Sequence, residues 1–168
     1  MDFDKVISSR TSVREYSDKE ISKELLIKIV KNGMKAPSAV NKRPWVFNIY
    51  NNKNDIDKIR SLMPHGKYEA KSIILALADS TKFLENNKDF YIEDMSAAIE
   101  NILLSATNEG IGTVWVGVYP AIDRVDSLRE NLNIPSHLIP FGLVYLGYPK
   151  DTPTPKNFDE SDKINYFD

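Results

Sequence analysis

Residues 91–109 constrain this chain more than any other segment. Met95, Ala98, Ile99, Ile102, Leu103 and Ala106 recur at helical spacing and form a wide apolar stripe with small residues near its centre. Such a helix has to be buried on more than one side, so the rest of the chain must wrap it. Upstream, Phe3, Val6, Ile7 and Arg10 share one face of a short first helix. Ser22 caps a second, whose Leu25, Leu26, Ile29, Val30 and Met34 follow the same period and which ends between Gly33 and Pro37. Residues 45–50 read as a strand from their aromatic and β-branched content, and residues 72–78 as a buried strand. Between them, Asp55 is placed to cap a helix carrying Ile56, Ile59, Leu62 and Met63. Downstream come a strand over 113–118, a helix over 123–131 with Val125 and Leu128 on one face, and a strand over 139–147 opened by Pro140. This order predicts an α+β fold. A length of 168 residues suits one domain, 1–168.

The last stretch, 149–168, has a different character. Pro149, Pro153 and Pro155 interrupt a polar run that cannot be helical, and then Ile164, Tyr166 and Phe167 restore apolar character. Either it is a free tail, or it is an extended arm docking on a second subunit. The terminal apolar cluster favours docking.

Bulk properties remove several function classes. A net charge of −2 offers no broad basic field for nucleic acid. No apolar stretch approaches the roughly 20 residues of a membrane span. The acidic N-terminus lacks the apolar run of a signal peptide. Cysteine is absent, which excludes disulfides, thiolate metal sites and cysteine nucleophiles and fits a cytoplasmic location. Two histidines, His65 in a Pro-His-Gly turn and His137 before a strand, provide no metal cluster.

Three patches carry the chemistry. In Arg10-Thr11-Ser12-Val13-Arg14, two guanidinium groups and two hydroxyls could hold a phosphate, and in extended backbone Arg10, Ser12 and Arg14 point to one side. A solvated loop with its arginines paired to Glu15, Asp18 or Glu20 is the alternative. In residues 36–45, Pro37 and Pro44 stiffen a loop whose Ser38 and Asn41 could frame a flat polar ring, or which merely joins helix to strand with Trp45 in the core. In residues 110–117, glycines follow a helix and open a strand, the reverse of a dinucleotide fingerprint, so a Rossmann reading fails. Gly110 there suits a helix C-cap. No triad or carboxylate pair has supporting spacing. That is what a chain shows when a cofactor performs the reaction.

Taken in order, these patches resemble the nitroreductase family of flavin enzymes. The matching residues are Arg10-Thr-Ser-Val-Arg14, Ala36-Pro-Ser-Ala-Val-Asn-Lys-Arg-Pro-Trp45, Asn101-Ile-Leu-Leu104, Gly110-Ile-Gly-Thr-Val-Trp115 and Gly147-Tyr-Pro149. The resemblance implies a mostly antiparallel sheet flanked by helices and a homodimer with exchanged C-terminal arms. It also implies FMN at the interface, NADH or NADPH as donor, and a small-molecule acceptor such as a nitroaromatic or quinone. Arg10, Thr11 and Ser12 would bind the phosphate and ribityl end, and Arg14 the pyrimidine edge of the ring. Pro37, Ser38, Ala39 and Asn41 would come from the partner, while the backbone of Trp115, Val116 and Gly117 would approach the redox centre. No side chain is expected to be catalytic. A specialised dehalogenase or flavin-modifying reaction, or flavin storage without turnover, are the alternatives. Two departures from the family pattern stand out. Arg43 replaces the usual Gln before Pro-Trp, and Asn157 or Phe158 occupies the place of an expected arginine, leaving Lys156 to complete the phosphate grip.

Overall fold

The computed structural model describes residues 2–155 and 158–167. Its centre is a four-stranded sheet in the order β1-β2-β4-β3, formed by β1 (Trp45–Tyr50), β2 (Ser72–Asp79), β3 (Gly112–Gly117) and β4 (Leu138–Gly147). Every pairing is antiparallel. β2 and β4 are central and buried on both faces, which is why they read as continuous apolar runs rather than alternating ones.

Alternation along β2 separates two cores. Ile74, Ala76 and Ala78 face a layer built from α2 (Lys23–Gly33) and α4 (Phe90–Asn108), whereas Ile73, Leu75 and Leu77 face α3 (Lys53–Leu62) and α5 (Ile122–Asn131). The predicted stripe of α4 is buried as its composition requires: Met95, Ala98, Ile99, Ile102 and Ala106 are all fully enclosed. α4 ends in a Schellman turn. Gly110 sits at φ +73°, the Ile111 N–H reaches the Ala106 carbonyl at 2.9 Å, and the Gly110 N–H reaches Thr107 at 3.0 Å.

Ser22 caps α2 as predicted, its side chain accepting the Leu25 N–H at 3.2 Å. The cap of α3 is a correction. Asn52, not Asp55, is the N-cap; its Oδ1 accepts the Asp55 N–H at 2.9 Å, and Asp55 sits within the first turn. α1 (Phe3–Ser9) buries only Val6, leaving Phe3 and Ile7 exposed on adjacent turns. Ile164, Tyr166 and Phe167 are also exposed. No helix among the described residues is long and apolar enough to cross a membrane.

Candidate functional site

Residues 10–14 attach to the open edge of the sheet. Arg10 is the C-cap residue of α1, in extended backbone. Its Nε lies 3.5 Å from Glu100 of α4, a half-exposed pair rather than one with Glu15, Asp18 or Glu20. Ser12 forms a parallel bridge to Thr113, and the Val13 N–H donates to the Thr113 carbonyl at 2.8 Å. The chain then leaves β3. Tyr16 bridges to Pro149, and the Ser17 N–H donates to Tyr148 at 2.8 Å. The Tyr16 hydroxyl donates to the Val13 carbonyl at 2.7 Å, and burial pushes this phenol up, so it stays a neutral donor holding the bend.

That departure uncovers part of β3. In a strand, alternate residues direct both backbone groups to the same side. The Thr113 carbonyl faces outward, so the N–H groups of Trp115 and Gly117 face outward too. Arg124, on the first turn of α5, donates to the Gly117 carbonyl at 3.0 Å. A side-chain carbon built on Gly117 would meet nothing within 4 Å, so the sheet face at Gly117 is open. The indole of Trp115 packs toward Phe141, with ring centroids 6.3 Å apart.

Arg14 reaches toward the sheet face that carries α3 and α5, where Tyr68 packs. Its Nε donates to the Tyr68 hydroxyl at 3.3 Å and its Nη1 to the Ser12 carbonyl at 3.3 Å. Arg14 also borders a depression of about 900 Å³ lined by residues of both charges, including Arg60, Lys67 and Glu69. None of the other predicted site residues among the described residues lines it.

The loop over residues 37–43 is tightly organised. Ser38 is extended, and its Oγ accepts the Arg43 N–H at 2.9 Å. Val40, Asn41 and Arg43 have φ of 50°, 54° and 49°. Left-handed backbone is tolerated by Asn but strained for a β-branched residue, at a cost of about 1 kcal/mol or more. The Arg43 Nε donates to Asn41 Oδ1 at 2.8 Å. A guanidinium only donates, so this contact fixes the amide's oxygen and leaves its NH2 to donate elsewhere. The Ala39 N–H donates to Asp94 of α4 at 2.8 Å, and Asp94 is only 6% exposed.

The structure therefore docks Ser12 and Val13 on Thr113, two residues before Trp115 on the strand that runs to Gly117, with Arg10 and Arg14 on either side of that contact. It does not bring Pro37, Ser38, Ala39 or Asn41 to them; no hydrogen bond or ion pair among the described residues links the two groups. Their anchors on α4, Asp94 and Glu100, differ by about 9 Å along the axis and about 120° around it. Lys156 lies outside the described residues. Sequence reasoning missed Asp94, Tyr68 and Arg124. Asp94 had a signal: it stands three residues after Tyr91 and four before Ala98, a charge on an apolar stripe. Tyr68 and Arg124 had none. Both histidines are exposed, and the described residues contain no group of metal-ligating side chains.

Fold and site together define an α+β protein with donors gathered on an open sheet edge and a second polar loop presented elsewhere. The model of the Nitroreductase family matches residues 7–65 and 64–148. The chain belongs to the nitroreductase family, a family of oxidoreductases. A relative from Methanothermobacter thermautotrophicus is 40% identical over 167 residues, covering 98% of this chain and 86% of its own. A crystal structure from Parabacteroides distasonis superposes with a TM-score of 0.89 at 34% identity, covering 99% of this chain and 98% of that one. Both carry the name "Putative NADH dehydrogenase/NAD(P)H nitroreductase". An FMN-dependent nitroreductase from Clostridium difficile R20291 superposes with a TM-score of 0.86 at 26% identity, covering 97% and 98%.

Proposed function

We propose that the protein is an FMN-dependent oxidoreductase that uses NADH or NADPH to reduce small acceptors such as nitroaromatics or quinones. The observation that carries this reading is the edge of β3 beyond Thr113, where no backbone hydrogen bond among the described residues takes the outward N–H groups of Trp115 and Gly117 and where the segment carrying Arg10, Ser12 and Arg14 docks beside them at Thr113. The donor set fits FMN: a phosphate, a hydroxylated chain and a ring rich in acceptors. When bound, FMN supplies hydride transfer between nicotinamide and acceptor, and the protein supplies binding and orientation. Arg10, Thr11 and Ser12 would hold the phosphate end, with Lys156 as a second cation. For a phosphate, the loosely held Arg10–Glu100 pair would exchange one partner for a better one. Arg14, fixed by Tyr68, would place a permanent positive charge at the polar edge of the ring and favour negative charge there. The N–H groups of Trp115 and Gly117 would donate along that edge.

The same reading makes the protein a homodimer in which residues 1–168 form one domain and 149–168 an exchanged arm. Pro37, Ser38, Ala39 and Asn41 make no hydrogen bond to residues 10–14 among the described residues, and in this reading they serve the partner's site. Exposed Phe3, Ile7, Val40, Ile164, Tyr166 and Phe167 provide apolar surface for such an interface. A cytoplasmic location belongs to this reading as well.

The visible spectrum of the purified protein, followed by anaerobic addition of each nicotinamide, tests it. Flavin absorbance that NADH or NADPH bleaches is the expected result. A colourless protein that takes up no added FMN would refute the proposal, and bound FMN that neither donor bleaches would make it a binding protein instead.

A further inference from the structure

We propose that Asp94 is a positioning residue for the loop that contacts the flavin ring, an inference that rests on the FMN reading above. Asp94 is buried on the apolar face of α4, between Tyr91 and Ala98. A carboxylate placed there is costly unless something needs it. The described contact is with the loop: the carboxylate accepts the Ala39 N–H at 2.8 Å. Ala39 opens the turn that carries Val40 and Asn41 in left-handed backbone. A strained turn persists only where its surroundings over-determine it, and it concentrates where geometry matters for function. Asp94 holds the start of the turn and the Ser38 hydroxyl holds its end through Arg43. Arg43 then fixes the Asn41 amide with its NH2 free to donate. Asp94 thus acts through the backbone to aim Asn41, and it need not touch the ligand itself.

Three variants test this. Asp94→Leu removes the acceptor, and Asp94→Asn keeps one oxygen that can take the same N–H. Ala39→Pro removes the donor and leaves the core of α4 intact. Proline is tolerated there because Ala39 is the first residue of its turn and Ser38, at φ −146° and ψ 152°, already has the backbone that precedes a proline. Losing a hydrogen bond to a charged group predicts an FMN dissociation constant raised about tenfold or more for Asp94→Leu and Ala39→Pro. Asp94→Asn should stay within about threefold of wild type. The bound-flavin absorption band should move toward that of free FMN, and the acceptor KM should rise more than kcat falls. The double variant Asp94→Leu/Ala39→Pro should be no worse than either single one, because both remove the same bond. Wild-type affinity and spectrum in Ala39→Pro would overturn the proposal, even if Asp94→Leu does not fold. Wild-type protein that binds no FMN would overturn the flavin reading itself, before any variant is compared.

Discussion

At Arg10 a weak ion pair occupies the place proposed for a phosphate. Its contact with Glu100 is half-exposed and 3.5 Å long, the kind of pair that adds little to stability. Arg10→Ala should therefore leave the unfolding midpoint almost unchanged. It should raise the FMN dissociation constant by roughly 10- to 100-fold, the range expected for a lost charge-assisted contact. Fluorescence titration of the apoprotein measures this, and unchanged flavin retention would remove Arg10 from the phosphate site. Tyr145 poses the opposite problem. Its ring is fully buried, and among the described residues its hydroxyl has no hydrogen-bond partner. Burial pushes the phenol up to about 12, above its unfolded value of about 10. Folding thus favours the neutral form. That contribution is fully present below pH 10 and is lost as the pH rises from 10 toward 12. Burial raises Tyr16 and Tyr91 in the same sense, so the loss should be steep. Denaturant midpoints from pH 8 to 11 should be flat and then fall. Tyr145→Phe removes an unpaired hydroxyl, so it should be neutral or stabilising by about 1 kcal/mol below pH 9 and flatten the alkaline fall.

At the scale of elements, the cap of α3 separates what local sequence encodes from what it does not. Both Asn52 and Asp55 are cap-forming residue types, and only the backbone identifies the capping one. Asn52→Ala should cost about 1 kcal/mol and Asp55→Ala less, measured by urea denaturation. The reverse order would restore Asp55 as the cap. Strand packing offers a sharper test. A methyl group at Gly142 would lie 2.5 Å from the Trp115 indole nitrogen, so Gly142→Ala must displace Trp115 or bend β4. It should destabilise by about 1–3 kcal/mol and shift the tryptophan emission. The elements themselves were largely legible. The helix read over 91–109 is Phe90–Asn108, and the strand read over 72–78 is Ser72–Asp79, because continuous apolar runs and helical periods are local signals. The pairing of Ser12 with Thr113, the grip of Asp94 on Ala39 and the contact of Arg14 with Tyr68 were not legible. Each joins residues far apart in the chain, and nothing in either segment alone specifies the partner. The motif at residues 10–14 supplied the residue types of the site, but only the bend held by Tyr16 shows why the edge beside them is left open.

On the scale of the whole molecule, the two halves of the candidate site are anchored at separate places on α4, at Asp94 and Glu100, and a second copy would let each complete the other. The exposed Ile164, Tyr166 and Phe167 are the part of the arm best suited to hold that copy. Replacing all three with serine should shift sedimentation from dimer toward monomer and release FMN, with far-UV circular dichroism unchanged. A dimer that keeps its flavin would free the arm of that role. The shared site makes a stronger demand. Arg10→Ala damages one half and Asn41→Ala the other. In a two-fold dimer that shares its sites, a mixed dimer of the two variants carries both lesions in one site and none in the second. Random re-pairing of equal amounts makes half the dimers mixed, so about a quarter of all sites should recover wild-type composition. Unfolding and refolding the two variants together, at an FMN level that fills wild-type sites but not those of either variant, should then restore NAD(P)H oxidation to about a quarter of the wild-type rate, whereas each refolded alone stays well below that. If Arg10 and Asn41 served one site within one chain, the mixture would be no more active than its parts.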